Sequence, residues 1–191
     1  NNLAGIFVAG MRAPLIGRVS MDQFVVDLGA NSLAKTGDEV IIFGDGRMKN
    51  LIMDEIKKYN LVENFILMGS LPPEEMPNYF SCADVLLVSL KESLIFSLTI
   101  PSKIQSYLAC KKPVIANING IGAKTIIDSK SGLVSNSGDF KMLANNIEEM
   151  VNKDSFEMNN FALNGYNYFL TNFERKIIYD KLEINLNALY A

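Results

Sequence analysis

The chain has 191 residues, 49% of them hydrophobic, a net charge of −3 and no histidine. That length holds one good-sized domain, or one domain with a small appendage. The slight acidity gives no electrostatic case for nucleic acid, histidine-based catalysis and metal ligation are excluded, and no apolar run approaches the ~18 residues that span a bilayer. Cys82 and Cys110 form no C-x-x-C and read as buried, reduced thiols of a cytosolic protein. The apolar patch at 3–10 lacks the basic flank of a signal peptide.

In chain order, residues 1–39 carry short β-type runs at Ile6-Phe7-Val8, Leu15-Ile16, Val19 and Phe24-Val25-Val26, split by glycine, proline and polar turns. This pattern predicts a meandering all-β segment, in which Asp22 and Asp27 read as turn or strand-end residues. V-I-I-F-G-D-G at 40–46 is an apolar strand leading into Gly44-x-Gly46, a spacing that by itself fits a plain turn as well as a phosphate-side loop. From there to 191 the chain alternates helical and strand patterns, which predicts an α/β domain over 40–191 with one predominantly parallel, Rossmann-like sheet flanked by helices. Residues 49–59 read as an amphipathic helix with Leu51, Ile52, Ile56 and Tyr59 on one face. A short strand at 65–67 ends at Met68-Gly69, and Pro72-Pro73-Glu74-Glu75 opens a helix. The continuous apolar run at 85–88 predicts a strand buried on both faces. Residues 117–124 read as a Gly-rich loop before a helix at 125–129, 140–151 as an amphipathic helix, and 161–189 as C-terminal helix with a break near Thr171.

The stretch T-I-P-S-K-I-Q-S-Y-L-A-C-K-K-P-V-I-A at 99–116 is the most informative. Pro101 suits the first position of a helix, where its missing N–H costs nothing. Ile100, held extended by that proline, makes a poor N-cap. Lys103 then sets a cation at the positive end of a helix dipole, unfavourable unless an anion sits there. The combination points to an anion site, most naturally for phosphate; the spacing fits equally a well-packed helix whose Lys103 reaches water. Ile104, Tyr107 and Leu108 form the buried face, and Pro113 leads into a strand at 114–116. In a parallel sheet ligands collect at the carboxyl ends of the strands, which gathers Gly44 and Gly46, Met68 and Gly69, Ser89-Leu90-Lys91, Ser102 and Lys103, and the loop from Asn117 to Gly122, with Gly120 and Gly122, as candidate ligand-binding residues. Met68 has a plain alternative as a core residue, and Lys91-Glu92 as a solvated pair.

P-S-K-x-x-x-Y-L-A-x-x-K-P-V-I-A resembles the donor-site segment of retaining glycosyltransferases of GT-B fold, closest to the bacterial surface-polysaccharide branch. The likeness covers about 44–191 and includes Gly44-Asp45-Gly46, L-M-G-S-L-P at 67–72, M-P-N-Y-F-S-C-A-D-V-L-L-V at 76–88 and S-G-L-V at 131–134. It implies the nucleotide-sugar half of a GT-B fold, with a donor linked to UDP. Gly44, Gly46, Gly120 and Gly122 would admit close backbone approach, Met68 and Gly69 would border the base, and Ser102 and Lys103 would meet the diphosphate. No cofactor or metal is implied, and the resemblance assigns no catalytic residue. The acceptor it implies is a glycan or lipid-linked precursor held by a further domain, in the cytoplasm and at the inner face of the membrane, where peripheral association is allowed. Three positions depart from the pattern: Ser106 stands where a ribose-binding glutamate is common, Lys111 where glycine precedes K-P, and Ile121 where the next loop often carries glutamate.

A second resemblance lies upstream. R-A-P-L-I-G-R-V-S-M-D-Q-F-V-V-D-L-G followed by A-K-T-G-D-E-V-I-I-F-G, about 8–44, is similar to the C-terminal β domain of alanine racemase, a pyridoxal-phosphate enzyme. In that family the Met-Asp of the motif, here Met21 and Asp22, lies near the substrate carboxylate. The Schiff-base lysine belongs to a barrel domain not present here, and the catalytic tyrosine precedes the motif, whereas the first tyrosine here is Tyr59. The chain therefore reads as a chimera: a racemase-like β segment at 1–39 joined to a donor-binding domain at 40–191 that lacks its first strand and helix. The expectation is a glycosyltransferase fragment inactive alone, with an inactive racemase fragment or a non-catalytic Rossmann-like binding domain as alternatives.

Overall fold

A computed structural model describes residues 40–43 and 49–189. The β segment expected at 1–39, with Met21 and Asp22, and the Gly44-Asp45-Gly46 turn lie outside the described residues. The order is β1 (Val40–Phe43), α1 (Lys49–Lys58), β2 (Phe65–Gly69), a 3-10 turn (Pro73–Glu75) running into α2 (Met76–Cys82), β3 (Leu86–Ser89), α3 (Leu94–Ser97), α4 (Ser102–Ala109), β4 (Val114–Asn117), α5 (Gly120–Ser129), β5 (Gly132–Ser135), α6 (Phe140–Val151), α7 (Ser155–Asn172) and α8 (Arg175–Leu189).

Among the described residues all strand pairing is parallel, as the α/β alternation predicts, but it falls into two ladders, β1-β2 and β3-β4-β5, rather than the single sheet expected. Side chains bridge what the hydrogen bonds do not. Successive strand residues point to opposite faces, and both ladders feed both faces. Val40, Ile42, Leu87 and Ile115 pack in one cluster with Ile52 and Ile56 of α1 and Leu143, Ile147 and Met150 of α6. Phe43, Leu86, Val88, Val114 and Ala116 pack in the other, with Phe80 of α2, Ile104, Tyr107 and Leu108 of α4 and Ile126 of α5. The result is a three-layer α/β/α arrangement with one apolar layer on each side of the strands.

Tyr107 anchors the second layer. It is fully buried, meets Phe80 edge-on with ring centroids 5.1 Å apart, and donates its hydroxyl hydrogen bond to the Leu87 carbonyl at 3.3 Å. Burial pushes its hydroxyl pKa well above the ordinary 10.0.

Several expectations shift. The helix expected at 125–129 begins at Gly120. The C-terminal helix begins at Ser155, behind a capping box of Asp154 and Glu157, and breaks after Asn172. Cys82, expected buried, is exposed: it ends α2 about 200° around the helix from Phe80, on the face away from the core. Cys110 is half-buried and its thiol pKa is raised by burial. No helix among the described residues is long and apolar enough to cross a membrane.

Candidate functional site

The carboxyl edge of β3-β4-β5 carries a polar rung. Each strand is apolar until its last residue, and those residues, Ser89, Asn117 and Ser135, are in register with one another. All three are buried, Asn117 at 0% exposure. The Asn117 side-chain oxygen accepts from Ser89 Oγ at 3.2 Å and from the Gly138 N–H at 3.3 Å. Its nitrogen donates to Ser135 Oγ at 2.8 Å, to the Asn136 carbonyl at 2.6 Å and, longer, to the Asp139 carbonyl at 3.4 Å. Donors face the oxygen and acceptors the nitrogen, so the network fixes the amide orientation.

The loop held by this rung is a tight turn. Asp139 N–H closes onto the Asn136 carbonyl at 2.9 Å, and Gly138 sits at φ +83°, the conformation a type II turn needs at its third position. Two further bonds leave the turn: Ser137 Oγ donates to the Leu90 carbonyl just after β3, and Ser137 N–H donates to Asn119 Oδ1 at 3.0 Å. Asp139 then caps α6, its side chain accepting from Met142 N–H at 2.9 Å.

Above this rung two helices begin. α4 starts after Pro101 and α5 after Asn119, and neither has a side-chain cap. Asparagine is a preferred cap, but the Asn119 oxygen is taken by Ser137. The two starts touch: a Cβ at Gly122 would lie 3.0 Å from Pro101 Cδ and 3.4 Å from Ile104 Cδ1. Gly120, at φ +73°, lies so close to the Ser97 backbone that a side chain there would collide with it. These are the physical demands behind glycine at 120 and 122, and they are why a string that reads as loop is the first turn of a helix.

Of the sequence-predicted residues, Ser102, Lys103, Gly120 and Gly122 are therefore brought together. Ser102 is exposed and Lys103 half-buried on the first turn of α4. Met68 and Gly69 end β2 in the other ladder, and Met68 is 38% exposed rather than core. Lys91 is exposed beyond β3. Lys124 pairs with Asp128 on α5 at 2.8 Å, which raises its pKa. Ser106, at the usual glutamate position, turns its hydroxyl to the Ser102 carbonyl at 3.3 Å, and Ile121 is 44% exposed on the first turn of α5. Sequence reasoning put Ser89 and Asn117 at this edge but missed Ser135 and the rung the three form. The signal that carries it is three apolar strands each closing on a small polar residue.

The matches to known proteins do not stop at the boundary expected at 39/40. The family described as glycosyl transferases group 1 matches residues 6–153. Among solved structures, Anabaena HepE in complex with UDP and glucose superposes with a TM-score of 0.64 at 18% identity, over 78% of this chain and 39% of that one. The C-terminal domain of a group 1 family glycosyl transferase (LpcC) from Francisella tularensis gives 0.56 at 22% identity, over 67% and 63%. At these identities the likeness is one of fold: the α/β domain is that of a GT-B C-terminal half. Among curated proteins, the alanine racemase of Pasteurella multocida is 40% identical over 74 residues. Alanine racemase 2 of Bacillus subtilis is 31% identical over 80 residues. The chain spans about a fifth of the length of these relatives, 19% and 20%, and the matches cover 39% and 42% of it.

Proposed function

The chain belongs to the group 1 glycosyl transferases, and we propose that its α/β domain binds the nucleotide-sugar donor, a UDP-sugar, for transfer to a surface-glycan precursor. The observation that carries the proposal is the meeting of two side-chain-uncapped helix starts, α4 and α5, above the carboxyl edge of a parallel ladder. Backbone N–H groups and the dipole of a helix start favour an anion, and Lys103 adds a full charge beside them. HepE in complex with UDP-glucose and a pneumococcal O-GlcNAc transferase in complex with UDP and GlcNAc support uridine as the base.

In this reading Ser102 and Lys103 meet the diphosphate, and Gly120 and Gly122 let the backbone approach it. Met68 and Gly69 border the base, and Gly44 and Gly46, which lie outside the described residues, keep the role the resemblance gives them, close backbone approach to the donor. As the glycosidic bond breaks, negative charge grows on the departing diphosphate, and a fixed positive site stabilises it electrostatically. The Ser106 hydroxyl already bonds within α4, so ribose is held weakly. The division into a racemase-like segment at 1–39 and a donor domain at 40–191 belongs to the same proposal. The acceptor, glycan or lipid-linked, is held by a further domain, since proximity and cleft closure supply much of the rate. The 191-residue chain by itself is expected to show neither transfer nor interconversion of L- and D-alanine.

The test is a titration with UDP and with uridine. A charge-assisted contact is worth about 1.5–3 kcal/mol, roughly 10–100-fold in affinity. Lys103→Ala is expected to weaken UDP by that factor and uridine far less, while Lys91→Ala changes neither. Added salt weakens UDP binding in the parent. If parent and Lys103→Ala bind both ligands alike, the anion site is rejected.

A further inference from the structure

Asn117 hydrogen-bonds to neither helix start, yet it is the most heavily bonded polar side chain of this edge among the described residues. Its carboxamide ties the β3 end (Ser89), the β5 end (Ser135) and the 136–139 turn into one unit. That turn in turn bonds in two directions: Ser137 Oγ reaches the Leu90 carbonyl on the β3 exit, and Ser137 N–H reaches Asn119 at the entry to α5. A fully buried amide with every polar atom engaged has one low-energy arrangement. The β3 exit and the α5 entry are thus joined through the turn that Asn117 holds, beside the backbone bond from Leu90 N–H to the Asn117 carbonyl at 3.1 Å.

We propose that Asn117 is a positioning residue for the donor site, acting through the 136–139 turn to fix the α5 start, with Gly120 and Gly122, relative to the β3 exit. This rests on the nucleotide-sugar reading and adds to it a residue that the ligand does not touch. A merely structural asparagine would lower stability and leave the affinity of the folded protein unchanged. A positioning one changes the affinity for the charged end of the ligand specifically.

The experiment compares UDP and uridine affinities at a temperature well below each variant's Tm. Asn117→Ser keeps one hydroxyl for Ser89 or Ser135 and cannot span to the turn. Asn119→Ala and Ser137→Ala each cut one outer link, outside the buried rung, and decide the matter should Asn117→Ser fail to fold. Each outer variant is expected to weaken UDP about 3–10-fold, the range of one hydrogen bond, with uridine unchanged. The double variant is expected to lose less than the product of the two, because both links act through one turn. UDP affinity equal to the parent's in both outer variants, with a lowered Tm, overturns the inference and leaves the donor reading standing. A parent that binds UDP no better than uridine overturns the donor reading, and this inference with it.

Discussion

β2 and β3 are alike in sequence and different in surroundings. F-I-L-M in β2 is as apolar as V-L-L-V across the entry and body of β3, yet all four residues of β3 and of β4 are buried, whereas β2 alternates and leaves Ile66 and Met68 36% and 38% exposed. The difference is position. β4 lies between β3 and β5, and helices cover both faces of that ladder, while among the described residues β2 pairs with β1 alone. Apolar runs of four or five residues identify strands; how many layers cover them is decided by elements distant in sequence.

The largest expected effect separates the two strands directly. Leu87→Ala in β3 opens a cavity in a closed layer and is expected to cost about 2–5 kcal/mol. Ile66→Ala in β2 is expected to cost no more than about 1 kcal/mol, since its side chain already meets water. Denaturant midpoints at constant m-value measure both, and equal losses would break the comparison.

Next is Tyr107, whose hydroxyl bonds β3 from the helix behind it. Tyr107→Phe is expected to cost about 0.5–1.5 kcal/mol at neutral pH. The sign with pH follows from linkage. Burial raises the folded-state pKa above the ordinary 10.0, so the unfolded chain loses its proton first. The contribution is complete below pH 10 and shrinks as pH rises beyond it. Parent stability is expected to fall there, and the Tyr107→Phe variant to lose that component of the fall.

Lys111 sharpens the account from the other side. It occupies the usual glycine position of K-P, and the structure holds it at φ +55°, a left-handed conformation costing a non-glycine residue about 1–2 kcal/mol. Set against the chain entropy of glycine, Lys111→Gly is expected to stabilise by up to about 1 kcal/mol, read as a raised Tm. A lowered Tm would mean that the lysine makes a compensating contact.

The smallest effect falls on the open face of β2. Met68→Ala is expected to change stability within about 0.5 kcal/mol, while UDP and uridine both weaken by a similar factor of about two to ten, as loss of a thioether–ring contact would give. A loss confined to UDP would place Met68 away from the base.

Legibility followed the range of the forces involved. The span 140–151 was readable because its apolar period is strong, and so was the buried face Ile104, Tyr107 and Leu108. The start of α5 was not, because Gly120 and Gly122 read as loop until Ser97 and Pro101 are seen against them. The start of α7 was readable in principle, since Asp154-x-x-Glu157 is a capping box. α3 has four residues and no periodicity to read. At the site, Ser102 and Lys103 stood out through Pro101, whereas Asn117 reads as a loop residue until in-register pairing sets it between Ser89 and Ser135.

The central claim is that the paired starts of α4 and α5 hold the diphosphate of a UDP-sugar. Its most direct test is the amide spectrum of the isotope-labelled chain during titration with UDP and, separately, uridine. The account predicts that UDP shifts the backbone amides of Ser102, Lys103, Gly120 and Gly122 in one saturable transition, and that uridine leaves these four in place. If UDP saturates without moving them, or moves them no more than uridine does, the diphosphate lies elsewhere and the claim is contradicted.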